Sequence, residues 1–189
     1  MIAIDIDETH TLPTTLQTVD EFEAWTREPG NDGSYEFVQG RIIPKPGMKQ
    51  DEFDLADFLQ RQFTKTTVYT QQHILMPEAD SYVDSKRKRI PDLAYFTVEQ
   101  RQAIRRAERV STLFAIEILS ASEIHEDVLE KIQDYFDGGA KLVWYIVPKQ
   151  KKIYAYTSPD DIKVFKGTET ISAAPVLPEF SFSIADLFA

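Results

Sequence analysis

Glu117 lies inside Thr112-Leu113-Phe114-Ala115-Ile116-Glu117-Ile118-Leu119, the most apolar stretch of the chain. Burying a lone carboxylate there is costly, so it calls for a partner: a cation, a metal or a proton. Asp92 supplies a second acid near the start of another apolar run, Ile90-Pro91-Asp92-Leu93-Ala94-Tyr95-Phe96. Two carboxylates on adjacent strands can hold a hard cation such as Mg2+, which prefers oxygen ligands and keeps several waters. Lys131 is the third piece, 14 residues after Glu117. From Glu117 to the end of its strand is roughly 7–10 Å at ~3.3 Å per residue. From the start of the following helix to Lys131 is roughly 12 Å at ~1.5 Å per residue. A helix packed back antiparallel on the sheet therefore brings both side chains to similar height. A lysine there can orient a water or stabilise a charged transition state. Asp127, one turn earlier, can pair with Lys131. The bland alternative is a buried structural pair of Glu117 and Lys131 without metal, which predicts the same spacing.

The positioning elements follow from periodicity and punctuation. Thr18, with Glu21 three residues on, predicts a capped helix to about Arg27. Tyr35–Val38 and Arg41–Ile43 flank Gln39-Gly40 and predict a hairpin. The spacing of Phe53, Leu55, Ala56, Phe58, Leu59 and Phe63 predicts an amphipathic helix over about 49–64. Thr67–Thr70 and His73–Met76 are expected as strands, 77–89 as a loop or hairpin tip, and Ile90–Phe96 as a strand. A charged helix is expected over 98–109. The all-apolar run 112–119 predicts a strand buried on both faces at the sheet centre. Ser120–Glu123 is expected to cap a helix that reaches about Phe136 and ends at Gly138-Gly139. Lys141–Val147 is another apolar strand, Lys152–Thr157 and Ile162–Phe165 are expected to pair, and a short helix ending at Phe188 closes the chain.

The chain has 189 residues, most simply an N-terminal arm over 1–17 and one domain over 18–189. A domain of this size folds without staples. There is no cysteine, which excludes disulfides, thiolate zinc sites and cysteine nucleophiles. His10, His73 and His125 stand at no close ligand spacing. The start of the chain lacks the basic and apolar regions of a signal peptide. No apolar run approaches the roughly 18 residues of a membrane span, so the cytoplasm is the expected location. A net charge of -10 argues against a general nucleic-acid coat protein but not against a nuclease, whose metal-holding acids add to the sum. Positive charge crowds into Lys86–Arg89 and into Arg101, Arg105, Arg106 and Arg109. Solvated faces are the default for both groups, although the first leads almost directly to Asp92.

Pro91-Asp92, Glu117-Ile118-Leu119-Ser120, and Lys131 four residues before Tyr135 together resemble the Uma-type restriction endonuclease family, assigned to the PD-(D/E)xK nuclease superfamily. The resemblance runs from about Tyr35 to Phe188. It includes Tyr35–Arg41, Gly138-Gly139, Trp144–Pro148 and the ending from Pro178-Glu179-Phe180 to Leu187-Phe188. It implies an α/β fold with a restriction-endonuclease-like core, a central mixed β-sheet flanked by helices. It also implies a Mg2+- or Mn2+-dependent endonuclease acting on DNA, with Asp92 and Glu117 as metal ligands, Lys131 as the catalytic lysine and Glu36 completing the site. In the simpler superfamily motif the lysine stands two residues after the glutamate. Leu119 holds that place here, and the Uma-type pattern passes the role to Lys131. A homodimer is a further implication. The rival expectation is a non-catalytic interaction module that keeps the nuclease-like fold.

Overall fold

Local signals set most elements of the computed structural model, which describes residues 12–119 and 125–189. Most of the expected arm, and the expected cap at Ser120–Glu123, lie outside the described residues. Thr18 caps α1 (Val19–Thr26): its hydroxyl accepts from Glu21 N at 3.3 Å, and Glu21 Oε2 accepts from Thr18 N at 3.1 Å. Strands β1 (Tyr35–Val38) and β2 (Arg41–Pro44) form the expected antiparallel hairpin. Gln39 and Gly40 at its tip both have positive φ, 49° and 89°, which matches the strand twist across a two-residue turn. Helix α2 (Gln50–Phe63) buries Leu55, Ala56, Leu59 and Phe63 on one face.

The run expected as a strand at Thr67–Thr70 is instead a short helix, α3 (Thr67–Thr70). Its composition favours a strand, but a carboxylate distant in sequence decides otherwise. Glu179 accepts from Thr67 N at 2.9 Å, Val68 N at 3.2 Å and the Thr67 hydroxyl at 2.8 Å. Those contacts satisfy donors that the start of a helix leaves open.

Next come β3 (Ile74–Pro77) and a hairpin, β4 (Ser81–Asp84) with β5 (Arg87–Arg89), in the segment expected as a loop or hairpin tip. Strand β6 (Leu93–Phe96) starts later than its apolar run, because Pro91 has no N–H for a ladder. Helix α4 (Val98–Arg105) is capped by Thr97. Then follow β7 (Phe114–Ile118), α5 (His125–Asp137), β8 (Leu142–Val147), β9 (Lys152–Ser158) and β10 (Asp161–Lys166). Strands β11 (Thr170–Ala173) and β12 (Leu177–Ser183), which the sequence reading did not anticipate, lead to α6 (Ile184–Leu187).

The main sheet has six strands in the order β10-β9-β8-β7-β6-β3. Strands β7 and β8 are parallel, and the other neighbours are antiparallel. β7 is interior to the sheet and buried at every residue, as its composition predicts. Its two faces pack differently. Phe114, Ile116 and Ile118 join a core with Leu59, Trp144 and Phe180, and the last two rings stack at 5.6 Å. Ala115 joins Val143, Tyr145, Ile132 and Tyr135 under α5. The opposite side of α5 is tied to a four-stranded sheet, β2-β1-β5-β4, through Arg89 with Asp134 and Arg87 with Asp134 and Asp137. Among the described residues no helix is long and apolar enough to cross a membrane.

Candidate active site

Strand alternation puts Glu117 on the same face of β7 as Ala115, towards α5. On α5, Lys131 and Tyr135 are one turn apart and share a face. Both reach the carboxylate: Lys131 Nζ lies 3.7 Å from Glu117 Oε2, and the Tyr135 hydroxyl donates to Oε1. The antiparallel register of β6 and β7 pairs Leu93 with Ile116. One step further along that register, Asp92 stands opposite Glu117. Asp92 Oδ2 accepts from Ile118 N at 2.6 Å. Lys45, the residue after β2, reaches in from the hairpin. Its Nζ is 2.8 Å from Asp92 Oδ1 and 3.7 Å from Glu117 Oε2.

Each carboxylate thus has one oxygen anchored and one presented. Ile118 N–H anchors Asp92, and the Tyr135 hydroxyl anchors Glu117. The presented atoms are Asp92 Oδ1 and Glu117 Oε2. Burial pushes the Asp92 carboxyl up, and the neighbouring Glu117 charge adds to this. Lys45 and the Ile118 N–H only partly offset them, leaving Asp92 at about 6. Burial also opposes ionisation of Glu117, but Lys131, Lys45 and the Tyr135 hydroxyl outweigh it and hold the carboxyl below its ordinary range. For Lys45, burial is outweighed by Glu117 and Asp92, so its ammonium is held more firmly than usual.

Asp92, Lys131 and Glu36 line one open cleft of about 400 Å³, together with Lys45, Arg89 and Ile118. Glu117 lies beneath its floor at 2 % exposure. The structure therefore brings Asp92, Glu117 and Lys131 together. Glu36 stands at the wall with both oxygens engaged, one by Arg89 Nη1 at 2.9 Å and one by Ile90 N at 3.0 Å. Arg89 Nε donates to Asp134 Oδ2 at 2.7 Å. Its Nη2 lies 2.6 Å from the same oxygen, within ion-pair distance but outside hydrogen-bond geometry. Asp127 lines the cleft a turn before Lys131.

The sequence reading missed Lys45. A single lysine between two prolines reads as a turn residue, and only the hairpin's return over the main sheet carries it to Asp92. Its backbone is fixed there, with Lys45 N donating to Ser34 O at 2.9 Å. The basic run before Asp92 is largely committed to acids. Arg87 binds Asp84, Asp134 and Asp137, Lys88 binds Asp80, and Arg89 binds Glu36 and Asp134. Arg109 pairs with Asp20 and Glu23, and Arg106 with Glu108. His73 is half-buried and shares a hydrogen bond with the Tyr95 hydroxyl. His10 and the side chain of His125 lie outside the described residues.

The donor set fits a hard divalent cation. Mg2+ accepts one or two carboxylates and fills its remaining positions with water. Two presented carboxylate oxygens beside an open cleft meet that requirement. Among the described residues no group of three or more His, Asp or Glu is clustered for a metal.

A family profile described as "Putative restriction endonuclease" (Uma2) matches residues 19–185. Among solved structures, the fold matches a protein from Anabaena variabilis described as a "putative nuclease belonging to DUF820". The TM-score is 0.76 at 20% identity, over 90% of this chain and 97% of that one. No curated protein sequence matches the chain.

Proposed function

Because the chain belongs to the Uma2 restriction endonuclease family, we propose that it is a metal-dependent endonuclease hydrolysing phosphodiester bonds in DNA. One observation carries this reading: Asp92, Lys45 and Lys131 line one cleft, and Glu117 Oε2 lies beneath its floor 3.7 Å from each lysine. Asp92 and Glu117 would hold Mg2+ or Mn2+, and the bound ion supplies Lewis acidity at the phosphate. Ile118 N–H and the Tyr135 hydroxyl fix the two carboxylates before any ligand arrives, so little reorganisation is needed. Lys131 places positive charge beside Glu117, where it can orient the attacking water or offset charge on the phosphoryl oxygens. Arg41, Lys49 and Lys131 line the cleft of a protein whose net charge is -10. The lining holds as many acids as cations, and these cations can contact a phosphate backbone without reading sequence.

The test is nicking of supercoiled plasmid DNA in Mg2+ or Mn2+ by wild type and by Glu117→Gln, a variant that keeps the shape of the side chain. Wild type should nick only with metal, and the variant should not nick while retaining its circular dichroism spectrum. Wild-type-like nicking by Glu117→Gln would remove Glu117 from the chemistry. One observation favours a second reading, a non-catalytic interaction module: the Lys45 ammonium already satisfies both carboxylates. A wild type silent on DNA with either metal would favour it.

A further inference from the structure

Lys45 hydrogen-bonds one and lies within ion-pair distance of the other of the two oxygens that a metal would need. Asp92 Oδ2 is held by Ile118 N–H and Glu117 Oε1 by Tyr135, so only Asp92 Oδ1 and Glu117 Oε2 face a ligand. Lys45 Nζ lies 2.8 Å from the first and 3.7 Å from the second. The side chain is 10% exposed, so this is a seated ammonium and not a passing surface contact. Its backbone is pinned between Pro44 and Pro46 by the bond to Ser34 O, and its flexible four-carbon stem lines the cleft.

We infer that Lys45 is an internal competitor for the divalent cation, so that metal loading and release of the Lys45 ammonium are one event. This rests on the metal reading proposed above and adds a residue to it. An ammonium seated between Asp92 Oδ1 and Glu117 Oε2 stands where a metal bridging those two oxygens would sit, whereas Lys131 approaches Glu117 alone. Seated Lys45 holds the two carboxylates in place in the metal-free protein. It also reduces apparent metal affinity by the fraction of time the position is vacant. Lys45 is therefore a positioning residue for Asp92 and Glu117, acting on metal occupancy.

Calorimetric titration of Mn2+ into wild type, Lys45→Met, Lys49→Met and Asp92→Asn tests this. With the seated state populated nine-tenths of the time or more, Lys45→Met should bind Mn2+ at least about tenfold more tightly than wild type. Lys49→Met removes a charge from the same cleft, and should change affinity by no more than about twofold if only screened, long-range charge is altered. Asp92→Asn should not bind. Equal affinity in wild type and Lys45→Met, with Asp92→Asn silent, overturns this inference and leaves the metal centre standing. Absence of Asp92-dependent binding in every protein overturns both. Should Lys45→Met fail to fold, the NMR signal of the isotope-labelled Lys45 ammonium in wild type gives the same answer. It should move on saturation with Mg2+, and an unmoved signal at saturation overturns the inference.

Discussion

The Tyr135 hydroxyl donates to Oε1 of Glu117, joining the last turn of α5 to the interior strand of the main sheet at a carboxylate only 2 % exposed. The bond leaves Oε2 to face the lysines. Burial and the Glu117 charge together push the Tyr135 hydroxyl well above its usual acidity range, so it stays a donor at every working pH. Tyr135→Phe should therefore destabilise the fold by about 1.5–3 kcal/mol, the range for a buried hydrogen bond to a charged group. Urea denaturation of the metal-free proteins measures this. An effect within about 0.5 kcal/mol, the scale of an ordinary surface change, would mean that the hydroxyl is not needed to hold Glu117.

Arg89 is the corresponding tie on the other side of α5. Its guanidinium, 2% exposed, lies between Glu36 of β1 and Asp134 of α5. Replacing it with methionine keeps much of the volume but leaves buried Glu36 without its cation and Asp134 with Arg87 alone. Arg89→Met should cost about 3–5 kcal/mol, as expected when one partner of a buried ion pair is removed. Arg109 also bridges two acids, Asp20 and Glu23, but its side chain is 35% exposed. Arg109→Ala should cost about 1 kcal/mol or less, because solvent screens the pair. Denaturation midpoints of the two variants decide the comparison. Equal losses would show that burial is not what makes the Arg89 network matter.

The sequence and the structure agree where the deciding interactions are local or fall on a regular period. The Thr18 capping box, the Gln39-Gly40 turn and the doubly buried β7 were legible because each depends on neighbours in the chain. Glu117 and Lys131 were legible because strand and helix rises fix how far each stands along its element, and Asp92 because it is an acid near the start of an apolar run. Lys45 was not, since its role depends on a hairpin folding over a sheet formed much later in the chain. Nor was α3, whose start is held by Glu179 from β12. Strands β11 and β12 were missed because Ala174, Pro175 and Pro178 break the alternation that marks a strand.

Asp92 gives the pH dependence a definite sign. Its carboxyl titrates at about 6 in the folded, metal-free protein, against about 3.9 in an unfolded chain. Between those values the folded state binds more protons than the unfolded one. The Asp92 contribution is therefore fully favourable below about pH 4 and is lost as pH rises through about 6, a change of up to about 3 kcal/mol. Carboxyls held below their ordinary range, including Glu117, Glu23, Asp84 and Asp137, contribute the opposite slope. Total stability therefore mixes the two trends, and Asp92→Asn separates them because it removes one titrating group and keeps its size. The stability of wild type minus that of Asp92→Asn, measured by urea denaturation without metal, should fall steadily from pH 4 to pH 7. A flat difference would mean that Lys45 and the Ile118 N–H hold Asp92 at its ordinary acidity despite burial and the charge of Glu117.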